Sequence, residues 1–129
     1  MTKELWLNLP VKDPQRSKKF FAKIGFSFRE DRENPTMVAM MVGQKPVPVM
    51  LFEENQLKGI MQSELPDTSR TSQMIISFDA ETREEVDEIA EKVKGAGGNL
   101  FAPPAEIQGI YYGCAFADLD GHRWNVLYM

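Results

Sequence analysis

The chain has 129 residues, of which 43% are hydrophobic and 26% are charged, a composition typical of one globular unit with its own core. Its net charge is -4, so nucleic acid and anionic membrane surfaces are poor partners. The apolar run Met37–Val42 is far too short to span a bilayer. The single cysteine excludes an internal disulfide and suits a reducing cytoplasm, where we expect the protein to act.

The first half of the chain, residues 1–54, is predicted to form one helix and four strands. Apolar residues alternate along Leu5–Val11, which indicates a strand with one buried face. Asp13 and Pro14 then supply the cap and the first turn of a helix, which Gly25 ends. Of the other three predicted strands, one begins at Phe26, and the other two cover Met37–Val42 and Val47–Phe52.

The segment 55–72 interrupts this pattern. It is polar and contains Gly59 and Pro66, which predicts a surface linker between two modules. Its apolar residues recur at helical spacing, so a short helical turn packed on the body is also compatible with the sequence. A flexible lid over a pocket is a third interpretation.

The second half, residues 73–129, is predicted to repeat the order of the first. Side chains alternate between two faces along Gln73–Phe78, which indicates a strand that begins at Gln73. Thr82 and Glu85 form a capping box at the start of a helix. Asp-Gly at Gly121 indicates a tight hairpin between the last two strands. The three remaining predicted strands are Asn99–Ile107, Tyr111–Ala117 and Arg123–Met129.

A strand–helix–three-strand order that occurs twice predicts an α+β fold. We expect two βαβββ modules, 1–54 and 73–129, whose curved mixed sheets surround a shared trough. Strand alternation assigns one set of residues to the trough face: Trp6, Asn8, Gln73, Ile75 and Asn125. The opposite set is expected to pack under the helices: Leu7, Leu9, Met74, Ile76 and Val126.

Three segments of the chain resemble the vicinal-oxygen-chelate superfamily, which includes glyoxalase I, the bleomycin-resistance proteins and the extradiol dioxygenases. These segments are Leu7–Phe26, Ser77–Gly98 and Phe116–Met129. The patterns NLPVKD and DLDGH-W-V look most like those of bacterial predicted lactoylglutathione lyases. The resemblance implies the paired-module fold and a homodimer. It leaves the activity open, because the superfamily contains lyases, isomerases, dioxygenases and simple binding proteins.

Metalloenzymes of this superfamily place one metal ligand on each of four strands. The resemblance carries those positions onto Trp6, Leu51, Gln73 and Asn125. Indole and isobutyl groups cannot bind a divalent metal, and two neutral amides do not compensate its charge. A shifted alignment would bring Met50 or Glu53 to the second position. We therefore expect neither the family metal nor another cofactor.

Four single residues have structural interpretations beside functional ones. His122, in the hairpin turn, is more typical of a residue that positions the turn than of a base. Cys114 is expected to be a buried thiol without special reactivity. Trp124 is predicted to be core, whereas Trp6 on the trough face either stacks on a flat ligand or fills the cavity.

Two functional hypotheses follow. In the first, the protein binds a small, largely apolar or aromatic molecule without a metal, through Trp6, Asn8, Gln73, Tyr112 and Asn125. In the second, it is a lyase or isomerase of glyoxalase type, either with an unfamiliar metal site or with acid–base chemistry carried out by Tyr112 or Glu53. A structural interpretation of the amides is also open, in which Gln73 and Asn125 simply bond to each other.

Overall fold

The two halves of the chain form separate compact units, Met1–Leu65 (unit 1) and Pro66–Met129 (unit 2), in a computed structural model of the protein. The structure describes the backbone throughout and the side chains of residues 1–30 and 34–129. The elements of unit 1 are β1 (Leu7–Val11), α1 (Pro14–Ile24), β2 (Ser27–Asn34), β3 (Met37–Val42), β4 (Val47–Glu53) and α2 (Glu54–Met61). Those of unit 2 are β5 (Ile75–Asp79), α3 (Arg83–Gly95), β6 (Asn99–Ile107), β7 (Tyr111–Ala117) and β8 (Arg123–Tyr128).

Each unit contains a four-stranded mixed sheet, and the two sheets have the same topology. The strand order is β1-β4-β3-β2 in unit 1 and β5-β8-β7-β6 in unit 2. The first pair of each sheet is parallel, and the other pairs are antiparallel. The predicted α+β class and the repeated βαβββ module are therefore confirmed.

The main helices begin where local sequence signals predict. In unit 1 the Asp13 carboxylate accepts hydrogen bonds from the amides of Gln15 and Arg16, at 3.0 and 3.2 Å, and Pro14 occupies the first turn. In unit 2 the Thr82 hydroxyl accepts the amide hydrogen of Glu85 at 3.0 Å. These contacts satisfy backbone donors that have no partner within the helix.

Alternate strand residues pack against the helices and form the two cores. In unit 1, α1 packs on β3 and β4. The strand residues buried there are Leu9, Val11, Val38, Met40, Val49 and Leu51. In unit 2, α3 packs on β6, β7 and β8, whose buried residues include Cys114, Phe116, Trp124 and Val126. The prediction that Met74 is a core residue is wrong, because β5 begins after it and its side chain is half-exposed.

The segment between the two predicted modules is divided between the units. Helix α2 lies in unit 1 and packs on β1 and β4, with Leu57 buried and Ile60 and Met61 exposed. The segment from Pro66 belongs to unit 2. There, the Thr68 hydroxyl donates a hydrogen bond to the backbone carbonyl of Asp120 in the β7–β8 turn.

No helix in the part of the chain that the structure describes is both long enough and apolar enough to cross a membrane.

Candidate ligand-binding site

The sheet of unit 1 has one face turned away from α1, which we call the cavity face. Strand register places one residue from each strand in a row across it: Asn8, Met50, Ala39 and Arg29. Residues aligned in this way on neighbouring strands share a face of the sheet. The cavity face therefore combines an amide, a thioether, a methyl group and a guanidinium.

A cavity of about 450 Å³ lies on this face. Its lining residues are Glu4, Trp6, Arg29, Met37, Ala39, Pro48 and Met50. Ala39 is 1% exposed and forms the floor, whereas the Trp6 side chain is 55% exposed. The volume falls within the range of small-molecule sites, which are mostly apolar with a few polar groups.

The cavity contains two charged side chains of opposite sign. The Glu4 carboxylate comes from the segment before β1, and the Arg29 guanidinium comes from β2. Formal charges of these groups cancel. The thioethers of Met37 and Met50 are flexible and polarisable, so this wall can adapt to ligands of different shape.

Two of the five predicted site residues, Trp6 and Asn8, lie in unit 1. Trp6 precedes β1 and lines the cavity. Asn8 is exposed in β1 and is the register partner of Met50, although it is not part of the cavity lining. Of these two side chains, only the Trp6 indole lines the cavity.

The other three predicted residues lie in unit 2, and two of them differ from expectation. Gln73 is exposed and precedes β5, so the prediction that the strand begins there is wrong. The Asn125 amide donates a hydrogen bond of 3.3 Å to the hydroxyl of Ser77, its register partner. The expected partner of Asn125, Gln73, is thus replaced by a strand residue four positions further along.

Tyr112 does not share a face with Asn125, which corrects the predicted site. Register aligns Asn125 with Ala115, three residues from Tyr112, so the two side chains point to opposite sides of the sheet. The Tyr112 hydroxyl donates a 2.6 Å hydrogen bond to Asp87 of α3. This hydrogen bond raises the pKa of Tyr112. The Arg83 guanidinium lies 4.9 Å from the centre of the tyrosine ring.

Glu53, the other residue considered for acid–base chemistry, is also engaged locally. Its carboxylate accepts hydrogen bonds of 3.0 Å from the amides of Asn55 and Gln56 and caps α2. Tyr112 is bonded to Asp87 on the helix side of unit 2. Neither candidate group lines the cavity of unit 1.

The residues at the family metal positions do not fit a divalent ion. Leu51 is fully buried on the α1 side of β4, and the neighbouring residue, Met50, faces the cavity instead. The remaining positions offer the indole of Trp6 and two neutral amides, none of which compensates the charge of a divalent ion. Within the described residues, no three His, Cys, Asp or Glu side chains are grouped to hold a metal.

Sequence reasoning missed a buried carboxylate in the DLDGH turn. Asp118 accepts hydrogen bonds from the indole nitrogen of Trp124 at 3.0 Å and from the amides of Asp120 and His122 at 2.9 and 3.0 Å. Burial raises the pKa of Asp118, while the His122 imidazole and the hydrogen bonds from Trp124 and the Asp120 amide act in the opposite direction. The signal was the Asp-x-Asp-Gly order, since a carboxylate before such a turn commonly bonds the turn amides. This motif therefore has a structural role.

The two charged cavity residues were missed as well. The phase of β2 could have indicated Arg29, because Phe28 is a large apolar residue suited to a core, and its neighbour in a strand points to the opposite face. Glu4 is two residues before Trp6, and residues two apart in an extended segment share a face. It could have been found only by extending the alternation of β1 back beyond the strand.

Comparison with known proteins agrees with the observed fold. The model of the Glyoxalase/Bleomycin resistance protein/Dioxygenase superfamily matches residues 5–126. Hypothetical protein SA1046 from S. aureus is similar, at 36% identity and a TM-score of 0.88, over 100% of this chain and 95% of that one. No curated protein matches the chain significantly.

Two more distant solved structures share the fold. A glyoxalase-related enzyme from Fulvimarina pelagi is 18% identical, with a TM-score of 0.85 over 100% of this chain and 89% of that one. A glyoxalase/bleomycin resistance protein/dioxygenase family enzyme from Burkholderia phytofirmans PsJN is 19% identical, with a TM-score of 0.80 over 95% of this chain and 94% of that one. Because the family model spans both units, the chain belongs to the Glyoxalase/Bleomycin resistance protein/Dioxygenase superfamily.

Proposed function

We propose that this protein binds a small, largely apolar or aromatic molecule in the cavity of unit 1, without the family metal. The observation that carries the proposal is the cavity of about 450 Å³ between the Trp6 indole and the thioethers of Met37 and Met50. An indole supplies a flat apolar wall, and the methionines adjust to the rest of the ligand.

The exposure of Trp6 gives this proposal an energetic basis. A tryptophan side chain that is 55% exposed leaves on the order of 100 Å² of largely apolar surface in water. Covering that surface contributes about 2.5 kcal/mol, before the cost of restricting the ligand is subtracted. A ligand stacked on the indole would thus gain a substantial part of its affinity from this one contact.

Binding is better supported than acid–base catalysis by the residues first considered for it. Tyr112 is bonded to Asp87, and the hydrogen bond raises its pKa, so the phenol gives up its proton less readily and less phenolate is available to act as a base. Glu53 serves as the cap of α2. The finer likeness to lactoylglutathione lyases stays a prediction.

A thermal-shift screen of phenols, aromatic antibiotics and glutathione conjugates tests the proposal. A ligand that binds the folded state raises Tm in a concentration-dependent manner. Trp6→Ala should weaken binding of any hit by about tenfold or more, since it removes the stacking surface.

Leu5→Ala is the matched control for this screen. Leu5 is 65% exposed and adjacent to Trp6, but it does not line the cavity. We expect the control to bind as the wild type does. Hits that bind Trp6→Ala and the wild type equally would contradict the proposed site.

A further inference from the structure

The cavity of unit 1 is mostly apolar, but its lining includes two charged groups. Glu4 and Arg29 carry opposite formal charges, and the other lining residues carry none. An apolar molecule placed there would displace water from both charges without replacing its hydrogen bonds, which is unfavourable. The lining therefore favours a ligand with polar groups of its own.

The two charges reach the cavity from opposite edges of the sheet. Arg29 is in β2, the outermost strand on one side, and Glu4 precedes β1, the outermost strand on the other. Ala39 of β3 and Met50 of β4 lie between those two strands and also line the cavity. The charged groups thus flank an apolar middle.

Each charged group has a definite chemical preference. The Arg29 guanidinium suits a carboxylate, to which it can donate two parallel hydrogen bonds. Arg29 also interacts elsewhere in the protein, but a guanidinium has five N–H donors and can hold an internal partner and a ligand together. The Glu4 carboxylate accepts only, so it suits an ammonium or another N–H donor.

We propose that the natural ligand is bipolar, with a flat apolar or aromatic body, an acidic group directed to Arg29 and a basic or N–H-donating group directed to Glu4. The inference rests on the proposed function and specifies the ligand class for the same cavity. It also predicts a ligand with little net charge, since the charges of Glu4 and Arg29 cancel.

A matched set of naphthalene probes tests the inference by isothermal titration calorimetry. The zwitterion 6-(aminomethyl)-2-naphthoate carries both groups, 2-naphthoate carries the acid alone, and 2-naphthylmethylamine carries the amine alone. The zwitterion should bind about tenfold more tightly than the amine, because a charge-assisted hydrogen bond in a partly enclosed site has that order of effect. Its advantage over 2-naphthoate should be smaller, about threefold, since Glu4 is exposed.

Substitutions assign each preference to one residue. Arg29→Gln should remove the gain that the carboxylate provides and should not weaken the binding of 2-naphthylmethylamine, because it takes a like charge out of the cavity. Glu4→Gln should remove the gain from the amine and should not weaken the binding of 2-naphthoate, because it likewise takes a like charge out of the cavity. Lys45→Gln removes an exposed cation from the β3–β4 turn outside the cavity, so it controls for net charge and should change neither affinity.

The outcomes separate the inference from the proposed function. If all three probes bind equally and Trp6→Ala weakens all of them, the cavity binds aromatic molecules and the bipolar inference is overturned. If the charge variants leave every affinity unchanged, the inference is likewise overturned. If none of the probes binds, both proposals fail.

Discussion

The Asp118 carboxylate accepts a hydrogen bond of 3.0 Å from the indole nitrogen of Trp124 within the core of unit 2. Trp124 is fully buried and Asp118 is 7% exposed. The same carboxylate also receives the amides of Asp120 and His122, so one side chain joins the core tryptophan to the hairpin turn.

Replacing Asp118 should therefore destabilise the protein strongly. Asp118→Ala removes the carboxylate that accepts the buried N–H of Trp124, and we expect the free energy of unfolding to fall by about 3 kcal/mol. Urea unfolding measures the change. In the double variant with Trp124→Phe, part of this loss should disappear, because the N–H that the carboxylate accepted is also gone. Strict additivity of the two substitutions would contradict the assigned contact.

Gly121 is predicted to be intolerant of any side chain. Its φ is +88°, and a β-carbon there would overlap the backbone carbonyl of Thr68. Gly109 is the matched control, with a φ of +68° and no neighbour close to an added β-carbon. Gly109→Ala should cost about 1 kcal/mol from backbone conformation alone. Gly121→Ala should cost clearly more by urea unfolding, and equal costs would exclude the contact with Thr68.

Cys114 should be inert in the folded protein. It is 2% exposed, and burial raises the pKa of its thiol to about 11 from an ordinary value of 9.0. The reactive thiolate is then about a hundredfold scarcer at pH 8. Labelling by iodoacetamide should be slow at pH 8 and should accelerate as the pH rises toward 11. Rapid labelling of native protein at neutral pH, compared with the unfolded chain in guanidinium chloride, would count against this prediction.

The raised pKa of Cys114 also makes the stability of the protein depend on pH. The folded state holds the thiol proton more tightly than the unfolded state does, so the contribution of this group is present below pH 9.0 and is lost as the pH rises through about 11. Across this alkaline range, the free energy of unfolding should therefore fall more for the wild type than for Cys114→Ala. Chemical unfolding of both proteins at a series of pH values measures this difference.

Asn125→Ala should have little effect on the empty protein. Asn125 is half-buried, and its bond to the exposed Ser77 hydroxyl is long, at 3.3 Å. We expect a loss below about 1 kcal/mol, since both partners can bond to water instead. Ser77→Ala is the matched control and should behave alike in urea unfolding. A loss near 3 kcal/mol for Asn125→Ala alone would show that the amide supports the fold through another contact.

We further propose that the protein self-associates as a homodimer. The outer strands of each sheet, β1 and β2 in unit 1 and β5 and β6 in unit 2, each have one edge that pairs with no strand of their own sheet, and proteins commonly cover such edges. Sedimentation velocity at micromolar concentration should give the mass of two chains of 14.7 kDa. A monomer under those conditions would exclude the dimer.

Local capping signals made much of the fold predictable from sequence. Asp13 and Thr82 cap their helices through contacts within three residues, so neither depends on the rest of the chain. Glycines and prolines marked the turns in the same local way. The repeated order of elements then indicated the two modules.

The faces of several strands could not be read from the sequence. In β7, every residue from Gly113 to Ala117 is buried, so there is no polar alternation to show that Tyr112 faces α3. In β4, the apolar run Val47–Phe52 likewise conceals which of Met50 and Leu51 faces the cavity. Side-chain direction in such strands is set by register with neighbouring strands, which is a long-range property.

The contact of Thr68 with the β7–β8 turn determines where the chain can be divided. The sequence pattern places the start of the second module at residue 73, but the segment from Pro66 packs with the second unit and bonds to Asp120. A fragment that begins at residue 73 would lose this cover and leave Gly121 facing solvent. Gene fusions, domain swaps and permuted chains should therefore join at Leu65–Pro66 and carry the Thr68 segment together with the hairpin that it covers.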